Sequence, residues 1–278
     1  MLLFTWNLHK KPTALRLALA HLLGSKTSFI GCLQELPPEM GTTVLARAVT
    51  KTLARDAIRC LGITEAAPPY KHGRVGLFCS PDLTPTAVDV AHDPRQRMAV
   101  IAVEGAAITP LSVVGYHGES RGVERDRSRI GADARREIDR HCGRSSLVML
   151  GDFNANPFDA EVCGSAGLFA VRDRGEARDE WASALVAIGQ TQRPLYNPMW
   201  SLLPENAGRP AGTNVYDRAE MLHWRLYDQI LVSPDLIDTI REPPEILPEV
   251  AGQWLLTDAG NIDKTISDHL PAQLRITF

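Results

Sequence analysis

None of the chain's five cysteines, Cys32, Cys60, Cys79, Cys142 and Cys163, forms a Cys-x-x-Cys pair. The odd number and wide spacing argue against a disulfide framework and against a zinc site, and fit a reducing compartment. No apolar run approaches the length that crosses a membrane. There is no internal repeat and no low-complexity tract. Positive charge is not in excess: 30 Lys and Arg stand against 33 Asp and Glu, a formal net charge of −3. A global basic field for nucleic acid is therefore missing. A polyanionic partner would need a local basic rim, or a divalent metal that reverses the sign at the site. The opening Met1-Leu2-Leu3-Phe4 is too short for the core of a secretion signal and soon meets Asn7, His9 and Lys10, so a cytoplasmic protein is expected.

What is present is a chain of 278 residues, 44% hydrophobic, with enough apolar side chains for a substantial core. Short apolar runs at 2–7, 29–33, 75–79, 87–90, 98–103, 111–116, 147–150, 228–233 and 272–278 read as strands. Residues 13–23 are apolar at helical spacing between Pro12 and Gly24, good boundary residues for a helix. Residues 42–59 and 123–142 read as further helices. Residues 190–215, rich in Pro, Gly and Asn, read as a long ordered loop. Alternating elements of this kind predict a mixed α and β protein.

The polar residues that end these strands carry the chemistry. Leu147-Val148-Met149-Leu150 runs into Gly151-Asp152-Phe153-Asn154-Ala155-Asn156-Pro157. Side chains two apart on a strand share a face, so Asp152 and Asn154 can together hold a water or a phosphoryl oxygen. An Asx turn closing the strand has the same sequence. Thr5-Trp6-Asn7, Gln34-Glu35, Tyr227-Asp228-Gln229 and Ser267-Asp268-His269 likewise sit at the edges of apolar runs. A buried carboxylate costs several kcal/mol unless it is paired or bound to metal, so carboxylates at several strand ends point to one shared site. Taken singly, Asn7 also suits a capping amide, Glu35 a surface charge and His269 a satisfied core or surface histidine.

At these residues the chain resembles the endonuclease/exonuclease/phosphatase superfamily, which includes pancreatic deoxyribonuclease, exonuclease-type apurinic endonucleases, neutral sphingomyelinases and inositol polyphosphate phosphatases. The carrying segments are Thr5-Trp6-Asn7, Gln34-Glu35, the strand end at His117, Gly151-Asp152-Phe153-Asn154, Tyr227-Asp228 and Ser267-Asp268-His269. They follow the family's order and span nearly the whole chain. The resemblance implies one domain over 1–278, an α/β (α+β) four-layer sandwich of two mixed β-sheets flanked by helices. It also implies a site at one sheet edge.

The resemblance assigns Asn7, Glu35 and Asp268 to a divalent metal, Mg²⁺ with Mn²⁺ also possible. Hard cations of this kind take oxygen donors and retain waters. It pairs His269 with Asp228, which would fix the imidazole tautomer. Asp268 would face the opposite side from His269 on extended backbone. Asp152 is the first choice for the base that activates water, with the Asp228–His269 pair as the other candidate, and Asn154 would hold a phosphate oxygen. His117 matches a position near the leaving oxygen, although Gly118 stands where relatives carry Leu. Arg97 resembles a phosphate-contacting arginine of deoxyribonuclease-type members; its bland alternative is a surface arginine. His9 stands where apurinic endonucleases carry a further metal-site Asp, which argues against their damage specificity.

The stretch from Arg121 to Arg144 interleaves eight arginines with five acids and reads first as a solvated helix with internal ion pairs. Arg121 and Arg125 directly follow His117, however, and could reach a polyanionic substrate. Tyr196, Trp200 and Trp224 are core aromatics or stacking surfaces. The leading expectation is a metal-dependent phosphodiesterase of nucleic acid, DNA favoured. Asp228 within Tyr-Asp-Gln-Ile supports it, and the Trp-Thr-Asp-Arg pattern of inositol phosphatases is missing. The alternatives are a hydrolase of a small or lipid phosphate, which suits the acidic balance, and a catalytically quiet binding module. Asn7, Glu35, Asp152, Asp228 and His269 are all present, which counts against the last.

Overall fold

The computed structural model describes residues 1–37, 58–63, 75–89, 97–105, 108–120, 127–143, 145–178, 193–203, 210–215 and 223–278. One sheet has the strand order β14-β17-β1-β2-β4-β3. Its members are β1 (Leu2–Asn7), β2 (Phe29–Gln34), β3 (Arg59–Ile63), β4 (Gly76–Cys79), β14 (Glu245–Ile246) and β17 (Ala272–Arg275). The other has the order β5-β6-β7-β8-β13-β10-β9. It comprises β5 (Thr84–Asp89), β6 (Met98–Gly105), β7 (Ile108–His117), β8 (Ser146–Asp152), β9 (Ala170–Val171), β10 (Leu195–Tyr196) and β13 (Asp228–Val232). Two short antiparallel ribbons complete the β-structure: β11 (Asn214–Val215) with β12 (Trp224–Arg225), and β15 (Glu249–Val250) with β16 (Gln253–Trp254).

Both large sheets are mixed. β1 pairs parallel with β2 through helix α1 (Pro12–Gly24), and β7 pairs parallel with β8 through α2 (Arg127–Cys142). A parallel pair needs a crossover, and a helix is its usual form. Pro12 begins α1, where its missing N–H is no loss. Shorter helices follow at α3 (Ala160–Cys163) and α4 (Arg174–Arg178).

Strand alternation builds the layers. Leu3, Ile30, Cys32 and Leu77 of the first sheet share one core with Ile101, Val113, Val148, Leu150, Ile230 and Val232 of the second. Their neighbours Leu2, Phe4, Trp6 and Phe29 face outward onto Ala14, Leu15, Ala18 and Leu22 of α1. Val114, Leu147, Met149 and Leu231 face outward onto Ala134 and Ile138 of α2. The order is helix, sheet, sheet, helix, the four-layer sandwich. Burying each large aliphatic side chain contributes about 1.5–3 kcal/mol, so the alternation holds the strands in register.

Several element boundaries differ from expectation. Most of the expected helix at 42–59 lies outside the described residues, and Arg59 opens β3 instead of closing a helix. The expected strand at 87–90 begins earlier, at Thr84, with Pro85 beside a register shift on an edge strand, where a missing N–H is tolerated. The loop at 190–215 contains β10, a 3-10 turn at Pro198–Leu202 and β11 among its described residues. These pieces are only a few residues long and are held by pairing with distant strands or by the Asn197 cap, so no periodicity announces them. Among the described residues no helix is long and apolar enough to cross a membrane.

Candidate active site

The inward rows of four strands turn polar at one edge. In β1 the row runs Leu3, Thr5, Asn7; in β7 it runs Val113, Gly115, His117; in β8 it runs Val148, Leu150, Asp152. β13 starts at the same edge with Asp228, then Ile230 and Val232. Register places His117 and Asp228 opposite Asp152, one on each side. Asn7 and the residues after β2 face that row from the other sheet. The parallel pairs therefore deliver their carboxyl ends to one edge of both sheets.

Asp152 is almost fully buried at the centre. Its Oδ2 accepts from Asn7 Nδ2 at 2.8 Å, a bond between the two sheets, and from Asn154 Nδ2 at 3.4 Å. Oδ2 also lies 3.8 Å from both His117 Nε2 and His269 Nε2. Its Oδ1 accepts from the Asn154 backbone N–H at 2.8 Å. That last bond is the Asx turn, so the turn and the polar cluster are one structure. Asn154 has left the strand with φ of 49°, and its amide also donates to Gly118 O at 3.1 Å.

Asp228 is fully buried and its Oδ2 lies 2.7 Å from His269 Nδ1. Its Oδ1 accepts from the Asn7 backbone N–H at 3.3 Å. Burial raises its pKa, opposed by the charge and hydrogen bond of His269. For His269 burial works toward a lower pKa, but Asp228 and Asp152 outweigh it and push the imidazole up to about 10. With Nδ1 on Asp228, Nε2 is left facing Asp152 and the open edge. Ser267, before the bend at Asp268, holds this geometry: Ser267 Oγ donates to Asn7 O at 2.7 Å and accepts from the His269 N–H at 3.1 Å. Trp6 Nε1 fixes the His269 carbonyl at 2.8 Å.

Asp268 lies at a bend rather than on extended backbone, and its carboxylate turns toward His9. Its Oδ1 is buried without a hydrogen bond and lies 3.3 Å from His9 Nδ1. Glu35, at φ of 47°, directs its carboxylate to the same place, 3.8 Å from His9 Nδ1 and 3.9 Å from His117 Nε2. Asn7 Oδ1 accepts from the His9 N–H at 2.9 Å. Glu35 and Asp268 thus both approach His9, whose N–H is held by Asn7 Oδ1, and the oxygens of these three residues are of the donor type that a hard divalent cation takes. Among the described residues no three His, Cys, Asp or Glu side chains are already gathered tightly enough to hold an ion.

Arg97 is buried, and its guanidinium donates to the Gly118 carbonyl at 2.6 Å, bracing the turn after His117. Gly118 itself is required there. A Cβ at that position would stand 2.1 Å from the Phe153 carbonyl oxygen. Gly151 is equally constrained by the Tyr116 carbonyl at 1.8 Å. Arg121 and Arg125 lie outside the described residues. The described part of α2 carries internal pairs: Arg135 with Asp139 at 2.9 Å, Arg140 with Glu137 at 2.7 Å, and Arg136 with Asp133.

Sequence reasoning missed Thr213, whose Oγ1 accepts from the backbone N–H groups of Tyr227 and Asp228 at 3.1 and 3.0 Å. It also missed a buried amide ladder. Asn197 Nδ2 donates to Gln229 Oε1 at 2.8 Å, Gln229 Nε2 to Ala155 O at 2.6 Å, and Asn156 Oδ1 accepts from Leu226 N–H at 3.0 Å. Only Gln229, a polar residue in an apolar strand, gave a local signal. Trp200 meets the exposed Phe158 edge-on, with ring centroids 6.4 Å apart.

A family model described as Endonuclease/Exonuclease/phosphatase family matches residues 4–269. No curated protein sequence matches the chain. Among solved structures, the 3'-5' exonuclease NExo from Neisseria meningitidis is similar with a TM-score of 0.60, 20% identity and 100% of both chains covered. The 3' phosphatase NExo from Neisseria, bound to product DNA hairpin, is similar with a TM-score of 0.61, 18% identity and 100% of both chains covered. The catalytic domain of Xenopus laevis APE2 is similar with a TM-score of 0.59 and 16% identity, over 99% of this chain and 91% of that one.

Proposed function

The chain belongs to the endonuclease/exonuclease/phosphatase family, and from that premise we propose that it is a divalent-metal-dependent phosphodiesterase of nucleic acid, with DNA the favoured substrate. The observation that carries this reading is the 2.8 Å bond from Asn7 to Asp152, which joins the two sheets where His117, Asp228 and His269 also meet. We read residues 1–278 as one cytoplasmic domain.

Asn7, Glu35 and Asp268 would hold the cation, Mg²⁺ or Mn²⁺. When bound it would neutralise phosphate charge and acidify a coordinated water. Asp152 then accepts the proton of the attacking water. Its Oδ2 is oriented by Asn7 and Asn154. His269, held by Asp228, presents Nε2 to a non-bridging phosphate oxygen and stabilises charge as it develops. The same pair is the alternative base. Asn154 gives its amide to another oxygen after exchanging its bond to Gly118. His117 stands on the opposite side of Asp152 from Asp228, suited to a leaving oxygen. Arg97 steadies that strand end, and Arg121 and Arg125 meet neighbouring phosphates.

The test is incubation of purified protein with supercoiled plasmid, single-stranded DNA, RNA and a panel of phosphomonoesters, each with Mg²⁺, Mn²⁺ or chelator. The expected outcome is metal-dependent cleavage of DNA. Turnover of a phosphomonoester with all nucleic acids intact would replace this reading with the small-substrate hydrolase that the acidic net charge favours. Inactivity on every substrate with metal present would leave the binding module.

A further inference from the structure

We infer that His9 is a nitrogen ligand of the cation site and biases it toward first-row transition ions, Mn²⁺ among them, over Mg²⁺. The inference rests on the metal-dependent reading above. His9 is about half exposed, yet its Nδ1 is directed between the carboxylates of Asp268 and Glu35, at 3.3 and 3.8 Å. Two donors each about 2.1 Å from one ion lie about 3.0 Å apart at a right angle and about 4.2 Å apart across it. Both separations fall within that range.

The backbone supports this aim for the ring. His9 and Lys10 are consecutive non-glycine residues at φ of 47° and 60°. Each such residue costs about 1–3 kcal/mol and persists only where its surroundings impose it. The imposing contacts are the His9 N–H on Asn7 Oδ1 and the Lys10 N–H on Glu35 O at 2.8 Å. Both of these anchors are themselves residues of the cation site. The turn thus carries the imidazole toward Asp268 Oδ1, a buried oxygen without a hydrogen bond. The three side chains must still close by small rotations to reach one ion, which their partial exposure permits.

Imidazole nitrogen is a favourable ligand for transition ions, whereas Mg²⁺ prefers oxygen and releases its waters reluctantly. The site therefore gains more from His9 with Mn²⁺ than with Mg²⁺.

The experiment measures Mn²⁺ and Mg²⁺ affinity by calorimetry on the full chain, in wild type, His9→Asn and Glu35→Gln, together with pulsed EPR of bound Mn²⁺. Asn tolerates left-handed backbone and offers oxygen instead of nitrogen, and a thermal melt checks folding. His9→Asn should lose at least about tenfold in Mn²⁺ affinity while Mg²⁺ affinity stays close to wild type. It should also lose an imidazole ¹⁴N coupling present in wild type. Glu35→Gln should weaken both ions. If His9→Asn leaves Mn²⁺ affinity and ¹⁴N coupling unchanged, or lowers both affinities alike, His9 is only an ion-pair partner and the inference fails. If wild type binds neither ion, the metal-dependent reading fails and the inference falls with it.

Discussion

At the scale of single residues, Asp152 and His269 do different work and both depend on neighbours. Asp152 is held by two amides and His269 by one carboxylate. Asp152→Asn keeps the shape and removes the proton acceptor; His269→Ala removes the imidazole. Each should lower turnover by at least about 100-fold in a cleavage assay. Asp152→Asn should melt near wild type, whereas His269→Ala leaves the buried Asp228 carboxylate without its partner and should melt lower; near-normal turnover in either variant would remove that residue from its assigned role. Thr213 is a sharper test of positioning. Thr213→Val preserves shape and leaves the buried N–H groups of Tyr227 and Asp228 without their acceptor. A loss of about 1–3 kcal/mol is expected in denaturant unfolding. Stability equal to wild type would show that water or another oxygen replaces the hydroxyl.

At the scale of elements, the site depends on how closely two strand ends pass. The Gly118 N–H donates to Asp152 O at 2.7 Å, and Phe153 N–H to Tyr227 O at 2.8 Å, so β7, β8 and β13 are tied beyond their last ladder residues. Gly118→Ala would drive a methyl into the Phe153 backbone carbonyl. The turn must shift, at an expected cost of about 1–3 kcal/mol, and the His117-to-Asp152 spacing shifts with it. Turnover should fall more than substrate affinity. A variant with wild-type melting and turnover would mean that the turn can relax without moving the site.

At the scale of the whole molecule, a slightly acidic chain must concentrate whatever positive field it uses. Arg135, Arg136 and Arg140 of α2 pair with acids of the same helix, which leaves the arginines from Arg121 to Arg127 as the candidate rim. We expect the triple change of Arg121, Arg125 and Arg127 to Ala, in an Asp152→Asn background, to weaken duplex DNA binding. The slope of log affinity against log salt should flatten by about 0.9 for each phosphate that the variant no longer neutralises. Fluorescence anisotropy across a salt series measures it. A slope identical to that of the Asp152→Asn protein would exclude these arginines from the phosphate footprint.

Strand identity and the site's polar residues were legible because both follow from local rules. Leu3-x-Thr5-x-Asn7 and Val148-x-Leu150-x-Asp152 each write a buried row that ends in a polar group, and period-two alternation makes such a row visible in one dimension. Pro12 and Gly24 bounded α1 for equally local reasons. The short strands β9 to β12 were not legible, because two-residue elements have no period and are held by bonds across the fold. The sequence by itself determined which residues could do chemistry, since residue type and strand-end position are local properties. Only the tertiary structure decided that Thr213 supports Asp228, that Gly118 admits the Phe153 backbone and that His9 turns toward Glu35 and Asp268. Each of those depends on an approach between segments far apart in the chain, and such distances are set by how the two sheets pack.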